Sequence, residues 1–365
     1  MLKQDLLDFN LQELQDFCIL NKLPKFRATQ IWRWIYCFGI KSFQDMNNIS
    51  KNTREFLKEI SIISRLEVSE MQESKDGTIK WLIKLNDGSE IETVYIPQED
   101  RGTVCLSSQV GCTLNCSFCH TGTQALVRNL KSSEIIGQLM LVMDHLHDWP
   151  SGKSNRKVTN IVMMGMGEPL LNYEEVSKAI KVMLSDDGIS LSRRRITLST
   201  SGIIPLIEKA GMDLGVNLAI SLHAVNDNLR NQLVPINKKY NLESLIEACR
   251  NYPNLSNSRR ITWEYVMLRD INDTQKDAKN LIKLIRGIPS KINLIPFNPW
   301  PGSFFKTSTK KNIDMFAKVI MEAGFASPIR KPRGQDIYAA CGQLKSDTEK
   351  LRKSQINKLV PIHAI

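Results

Sequence analysis

The chain carries eight cysteines, and four of them fall within VCLSSQVGCTLNCSFCHTG, residues 104–122. Cys112, Cys116 and Cys119 are spaced C-x3-C-x2-C, with an aromatic residue, Phe118, before the last. Thiolates are soft donors suited to zinc or to iron–sulfur clusters. A structural zinc site wants four ligands, so these three would need a fourth from His120 or from a distant cysteine. Three cysteines by themselves suit a 4Fe–4S cluster whose remaining iron stays open to a small molecule. Cys105 lies upstream of that set, and on pattern alone it reads as a buried thiol in an apolar strand. Cys341 differs, because Ala339, Ala340 and Gly342 flank it and a loop of small residues leaves a sulfur accessible. Cys18, Cys37 and Cys249 fall in helical patterns and read as core thiols.

Residues so far apart need a framework to bring them together. From about residue 100, apolar runs alternate with amphipathic stretches such as SSEIIGQLMLVMDHL and YEEVSKAIKVML. Candidate strands are 103–107, 158–165, 194–200, 216–223, 261–268 and 292–298. Apolar strands alternating with helices predict a parallel sheet buried on both faces. Six such units predict an α/β fold, an incomplete six-stranded (β/α) barrel, whose chemistry gathers at the C-terminal strand ends. The unusual residues fall there: the cysteine loop follows the first run, Gly165-Met166-Gly167-Glu168-Pro169 the second and Ser199-Thr200-Ser201-Gly202 the third. Ser221-Leu222-His223 ends the fourth run and Asn298-Pro299 the sixth.

Ahead of this region, residues 1–60 predict a small helical accessory domain with helices near 11–22, 26–38 and 53–60. Trp32, Trp34 and Tyr36 in its second helix could stack on bases, although packing in a small core is the commoner use of such a stripe. Residues 61–100 alternate in β fashion around Asp76-Gly77 and Asp87-Gly88 turns, predicting a short antiparallel segment. The barrel then occupies 101–345, and 346–365 form a tail with no diagnostic residues.

Composition sets the outer bounds. The 365 residues include 49 Lys and Arg against 38 Asp and Glu, a net charge of +11. Such an excess fits a polyanionic partner, nucleic acid first among them, or a merely solubilising surface. Arg193-Arg194-Arg195, Arg259-Arg260 and Lys310-Lys311 could track phosphates. No run approaches the roughly 18 apolar residues of a membrane span, and the acidic N-terminus is unlike a secretory signal. A cytoplasmic protein is expected, where clustered thiols serve as ligands or reactive groups more readily than as structural disulfides. His145 and His147 read as structural or surface residues.

The cysteine loop resembles the cluster-binding loop of the radical S-adenosylmethionine superfamily, and GMGEP resembles the motif that holds the methionine amino group in that superfamily. The likeness narrows further. Glu92-Thr93-Val94, Cys105-x6-Cys112, GMGEPLLN, STSG, SLHA, LIPFNPWPG and DIYAACGQL occur in order over residues 92–344. Together they resemble the bacterial dual-specificity RNA methyltransferases that act on carbon 2 of adenosine in large-subunit ribosomal RNA and in transfer RNA. The resemblance implies a 4Fe–4S cluster on Cys112, Cys116 and Cys119, and S-adenosylmethionine contacts from Gly167, Glu168, Ser199, Ser221, Leu222, His223 and Asn298. It implies two S-adenosylmethionine molecules per turnover: one methylates Cys341, and the second yields a 5′-deoxyadenosyl radical that takes a hydrogen atom from the S-methyl group. The methylene then bonds to the base, Glu92 accepts the carbon 2 proton, and Cys105 resolves the adduct by forming a disulfide with Cys341.

Without the resemblance, Glu92 would be one more glutamate on a solvated strand face and His223 a satisfied core histidine. The implied partners are 23S rRNA in a protein-poor assembly intermediate, tRNA and an electron donor such as a flavodoxin-type protein. Neither a membrane nor a second subunit is expected. Two alternatives stand beside this reading. The related class methylates carbon 8 of the same ribosomal adenosine, but departs from GEPLLN and IPFNPWPG. A non-enzymatic RNA-binding or assembly factor with a structural metal site would leave Cys105 and Cys341 without a task.

Overall fold

Apolar residues at helical spacing build the N-terminal helices, the first behind an Asn10 cap and the third behind a Ser50 cap, and alternating residues around Asp-Gly turns build the first strands. The computed structural model describes residues 3–346; of the predicted tail, only Ser346 lies within the described residues. Helices α1 (Leu11–Leu20), α2 (Phe26–Tyr36) and α3 (Lys51–Ile60) form the N-terminal module. A capping box starts α1, with the Asn10 and Glu13 side chains each accepting the other's backbone N–H. Trp32 and Tyr36 are buried and meet edge to face, so these two aromatics serve the core. Trp34 is half-buried and gives its indole N–H to Asn48. Residues 4–5 pair with 61–62 to close the module. Ion pairs Arg65–Asp144 and Lys178–Glu13 then tie it to the rest of the chain.

The antiparallel segment comprises β1 (Glu67–Glu73), β2 (Ile79–Lys84) and β3 (Glu90–Gln98). At its two turns Asp76 and Asp87 each accept a backbone N–H two residues on, and Gly77 and Gly88 both adopt φ +81°. The exposed, glutamate-rich β1 blunts the sheet edge against stray pairing.

β3 pairs antiparallel with β4 (Arg101–Cys105), and from β4 onward every strand pairing within this sheet is parallel. β5 (Asn160–Met163), β6 (Ile196–Thr200), β7 (Asn217–Ser221), β8 (Ile261–Met267) and β9 (Ser290–Pro296) follow side by side in chain order. A doubly wound sheet reverses its order partway; this one does not. Right-handed crossovers that all step the same way put the helices on one face. They are α4 (Ser132–His145), α5 (Tyr173–Leu184), α6 (Ile204–Leu214), α7 (Asp227–Leu233), α8 (Leu242–Arg250), α9 (Gln275–Leu284) and α10 (Lys310–Glu322). Leu139, Ile180, Ile207, Leu245, Leu281 and Phe316 on these helices are fully buried, each contributing about 1.5–3 kcal/mol.

The sheet is open. Among the described residues β9 does not pair with β1, and the six parallel strands predicted as an incomplete barrel form an unclosed sheet. After α10 the chain instead returns along β9: Ile292 and Leu294 donate to the carbonyls of Ala326 and Pro328, and Arg330 donates to that of Leu294. Periodicity gave no sign of this return. No helix among the described residues is long and apolar enough to cross a membrane.

Candidate active site

The cysteine loop leaves the sheet after β4 and is closed at its base by an antiparallel pairing of 109–110 with 128–129. Gly111 turns the chain at φ +77°, where a Cβ would lie 2.2 Å from the Ala125 carbonyl oxygen. Arg128 locks the exit with two bonds to Glu134 and one to Asp87. Beyond the loop, His120 stacks on Trp300, whose indole N–H bonds the Phe118 carbonyl. These contacts aim Cys112, Cys116 and Cys119 into one cavity at the C-terminal ends of the parallel strands. Burial raises the Cys116 and Cys119 thiols, and at Cys116 the neighbouring Cys112 and Cys119 add to the effect. Among the described residues no group of three His, Cys, Asp or Glu side chains is arranged to hold a single metal ion. The three thiols instead share the end of a cavity, and this donor set fits a cluster that takes one thiolate per iron.

The opposite wall of the cavity comes from the strand ends. Gly167, Glu168, Ser199, Ser221, His223 and Asn298 all line it, as the barrel rule predicts. Gly167 holds φ +96° and approaches Gln109 so closely that a Cβ would sit 2.5 Å from the Gln109 Cβ. Glu168 accepts the Ser201 and Leu170 backbone N–H groups at 2.9 and 3.2 Å. Burial nevertheless pushes its carboxyl from 4.5 up to about 7. Such a group gains most from a cation brought alongside it. His223 accepts the Val266 N–H on Nδ1 and packs edge-on against Phe118, and burial lowers its pKa to about 3. It is a satisfied core histidine that also forms part of the cavity wall. Leu222 is the exception. Its side chain is in the core, away from the cavity, and its backbone spans to the Glu264 carbonyl and the Arg230 side chain.

Arg230 is a residue that sequence reasoning passed over. Fully buried, it donates to the carbonyls of Leu222, Ser201 and Ser221 and to Asn237 Oδ1, at 2.7–3.0 Å. One guanidinium thereby joins the ends of β6 and β7. Burial lowers its pKa to about 10, so it stays charged at neutral pH. Its only sequence signal was an arginine on the apolar side of a short helix.

Cys341 arrives on the segment after the β9 return, which is fastened at both ends. On one side Asp76 accepts the Gly334 N–H, and Asp336 accepts the Ser74 hydroxyl. On the other, the carbonyls of Gly342, Leu344 and Ser346 take bonds from His120, Thr121 and Gln124 of the cysteine loop. Asn298 donates to the Cys341 carbonyl at 3.1 Å. Cys341 lines the cluster cavity and also a second one beneath it, which Cys105 lines as well. The exposed surface of Cys341 thus opens into cavities, and burial raises its thiol. Burial also raises Cys105 strongly, with Cys341 the next cause. All eight cysteines are free thiols.

Glu92 lies on β3 next to this site but in neither of these two cavities. Lys80 Nζ is 2.7 Å from one carboxylate oxygen, and the Lys345 N–H bonds the other at 2.7 Å. It lines a separate small pocket with Glu70, Gln72 and Leu82. Elsewhere, Cys18 and Cys249 are fully buried, and Cys37 bonds the Gly188 carbonyl, as the core reading expects. His145 packs edge-on against Trp81.

Comparison with known proteins agrees with this geometry. The model of the ribosomal RNA large subunit methyltransferase N-terminal domain matches residues 4–63, and that of the radical SAM superfamily matches 106–285. The dual-specificity RNA methyltransferase RlmN of Sinorhizobium fredii is 59% identical over 343 residues, covering 90% of this chain and 84% of that protein. The protein of the same name from Bartonella tribocorum is 58% identical over 362 residues, covering 95% and 89%. A solved radical SAM methyltransferase from Sphaerobacter thermophilus is similar at a TM-score of 0.86 and 38% identity, covering 94% of this chain and 99% of that one. With a helical module matching at one end, a cluster loop in the middle and identity sustained over nine-tenths of its length, the chain belongs to the RlmN family of radical SAM dual-specificity RNA methyltransferases.

Proposed function

We propose that this chain methylates carbon 2 of adenosine in 23S rRNA and tRNA by carrying the new methyl carbon on Cys341. The observation that carries this reading is the shared cavity of Cys105 and Cys341, two thiols 236 positions apart in sequence that line one cavity. A structural metal protein has no use for that pair. Carbon 2 of adenine is not nucleophilic, so direct transfer from a sulfonium fails there and a relay through a protein sulfur is needed. Cys112, Cys116 and Cys119 would hold a 4Fe–4S cluster, which supplies the electron that turns bound S-adenosylmethionine into a hydrogen-abstracting radical. Glu168 and the backbone near Gly167 hold the ammonium of that ligand, with Ser199, Ser221, His223 and Asn298 completing its enclosure.

Cys341 takes a methyl group from one S-adenosylmethionine, and its S-methyl group then gives up a hydrogen atom. The methylene carbon bonds to carbon 2 of the base. Glu92 accepts the carbon 2 proton once the Lys345 N–H has withdrawn from it. The unpaired electron left on the base would return to the cluster. Cys105 then attacks the Cys341 sulfur, an S–S bond forms, the C–S bond breaks, and the freed carbon takes a proton to become the methyl group of the released RNA. The resulting disulfide consumes two thiols, so an external dithiol must reduce it before the next turnover. Two S-adenosylmethionine molecules are used each cycle, and a flavodoxin-type protein supplies the electron. The enzyme works as a monomer in the cytoplasm, on ribosomal RNA before its proteins cover it. The GEPLLN and IPFNPWPG stretches favour carbon 2 over carbon 8.

The test is Cys105→Ala, loaded with cluster and reacted anaerobically with an RNA substrate. Covalently attached RNA should accumulate, and its absence under conditions where wild type turns over would remove the resolving role. Digestion of wild-type product RNA should yield 2-methyladenosine; 8-methyladenosine in its place would reassign the reaction.

A further inference from the structure

The second cavity lies between the inner face of the sheet and the return segment, 328–344. Its wall carries five cations, Arg101, Lys291, Arg330, Lys331 and Arg333, against one acid, Glu264. Glu264 on β8 and Asn293 on β9 are cross-strand neighbours, 6% and 3% exposed. Asn293 Nδ2 donates to Glu264 Oε1 at 2.8 Å. That bond leaves Asn293 Oδ1 buried with no partner. The second oxygen of Glu264 makes no hydrogen bond among the described residues either. A buried acceptor left unspent, as Asn293 Oδ1 is, costs stability unless a ligand satisfies it. Arg330 and Lys291 are the cations whose charge reaches Glu264. Glu264 lines both cavities, as does Cys341.

A ligand for this cavity must bring N–H donors to its inner end and negative charge to its mouth. A nucleotide unit of RNA does both. Adenine presents its exocyclic amine as a donor at position 6, where guanine presents a carbonyl acceptor. Single-stranded bases are read on this edge, and the edge that carries the amine also carries carbon 2.

We infer that Glu264 and Asn293 are the specificity-determining pair of this enzyme, accepting the exocyclic amine of the target adenine while Lys291 and Arg330 hold the flanking phosphates. The inference rests on the RNA-adenosine reading above and adds the residues that select the base. A guanine at the same place would set its carbonyl against two acceptors and be rejected. Holding the amine also fixes which way the base edge faces, so carbon 2 is directed toward the Cys341 side of the cavity.

The experiment uses cluster-loaded full-length protein and short RNA stem-loops carrying adenosine or purine riboside, which lacks the amine, at the target position. Binding is read by fluorescence anisotropy and methylation by kcat/KM. For wild type the adenosine RNA should be favoured about 10-fold or more. Asn293→Leu and Glu264→Gln should each bring that ratio toward one. Lys291→Ala should weaken both RNAs equally and lower the salt dependence of binding by about one phosphate contact. Methylation of carbon 2 with a wild-type ratio near one would overturn the inference while leaving the proposed function standing. An unchanged ratio in both variants would overturn it too, since a merely structural pair has no reason to distinguish the two RNAs. Should a variant fail to fold, the wild-type comparison decides alone. If wild type methylates no adenosine RNA, the function reading fails and this inference with it.

Discussion

Glu168 offers the most direct physical test of the ligand site. Its carboxyl is buried and sits at about 7 in place of 4.5, so ionising it in the ligand-free protein costs about 3 kcal/mol more than in water. A ligand ammonium beside it recovers much of that cost, so affinity should follow the ionised fraction. About 3% of Glu168 is ionised at pH 5.5 and about half at pH 7, giving a rise in S-adenosylmethionine affinity of about 15-fold across that window. The ligand's own amine, titrating near 8, stays protonated throughout. His223 does not interfere, because at about 3 it is neutral over the whole range. Equilibrium dialysis of the cluster-loaded protein under anaerobic conditions measures the slope. Glu168→Gln should abolish the slope and weaken binding at pH 7 by about tenfold or more. Stability of the ligand-free protein should run the other way. A raised carboxyl favours the folded state below pH 4.5, and that advantage is lost as pH rises through about 7. A flat affinity profile in wild type, or a slope retained in Glu168→Gln, would show that this carboxylate does not hold the ammonium.

Arg230→Met should remove the hydrogen bonds to the Ser201, Ser221 and Leu222 carbonyls and to Asn237 Oδ1, the Leu222 carbonyl keeping only the Ala224 N–H, and lower unfolding stability by about 3–5 kcal/mol. Denaturant titration would register this, and a loss under 1 kcal/mol would mean that the strand ends brace themselves. Gly167→Ala forces a side chain onto φ +96° and into Gln109. It should cost about 1–3 kcal/mol, seen as weaker S-adenosylmethionine binding with RNA binding intact. Glu92→Gln should stall turnover with RNA attached and the carbon 2 hydrogen still in place. Mass spectrometry of digested adduct made from deuterated adenosine checks this, and deuterium loss at the wild-type rate would exclude Glu92 as the acceptor.

Local features carried the cysteine loop and the strand-end motifs, and these were legible. C-x3-C-x2-C is a contiguous pattern, and Glu168 or Asn298 could be placed on the rim because each follows an apolar run. Leu222 was not separable from its neighbours Ser221 and His223, because a motif does not reveal which residue of an alternating strand end faces inward. Arg230, Lys80 and the Glu264–Asn293 pair act through partners 7 to 29 residues away. Only three-dimensional pairing reveals them. The return along β9 was hidden for a related reason: AGFASPIRK is short, interrupted by proline and held by β9 on one side only. The six parallel strands of an incomplete barrel were legible from the six units, although a count of units fixes strand number and not how far the sheet curls.

The clamp between the cysteine loop and residues 342–346 has a consequence for how the protein is made. On the ribosome, Cys119 precedes Cys341 by 222 residues. At about 5–20 residues per second the loop waits about 10–45 s before its fastener exists. During that interval the three ligand thiols lie uncovered, and the sulfur that would later share their cavity has not been made. Delivery of iron and sulfide to the growing chain would find an open door and no competing thiol from the carboxyl-terminal end. With Cys341 as the methyl carrier proposed above, the order of synthesis would separate loading the cluster from arming that carrier.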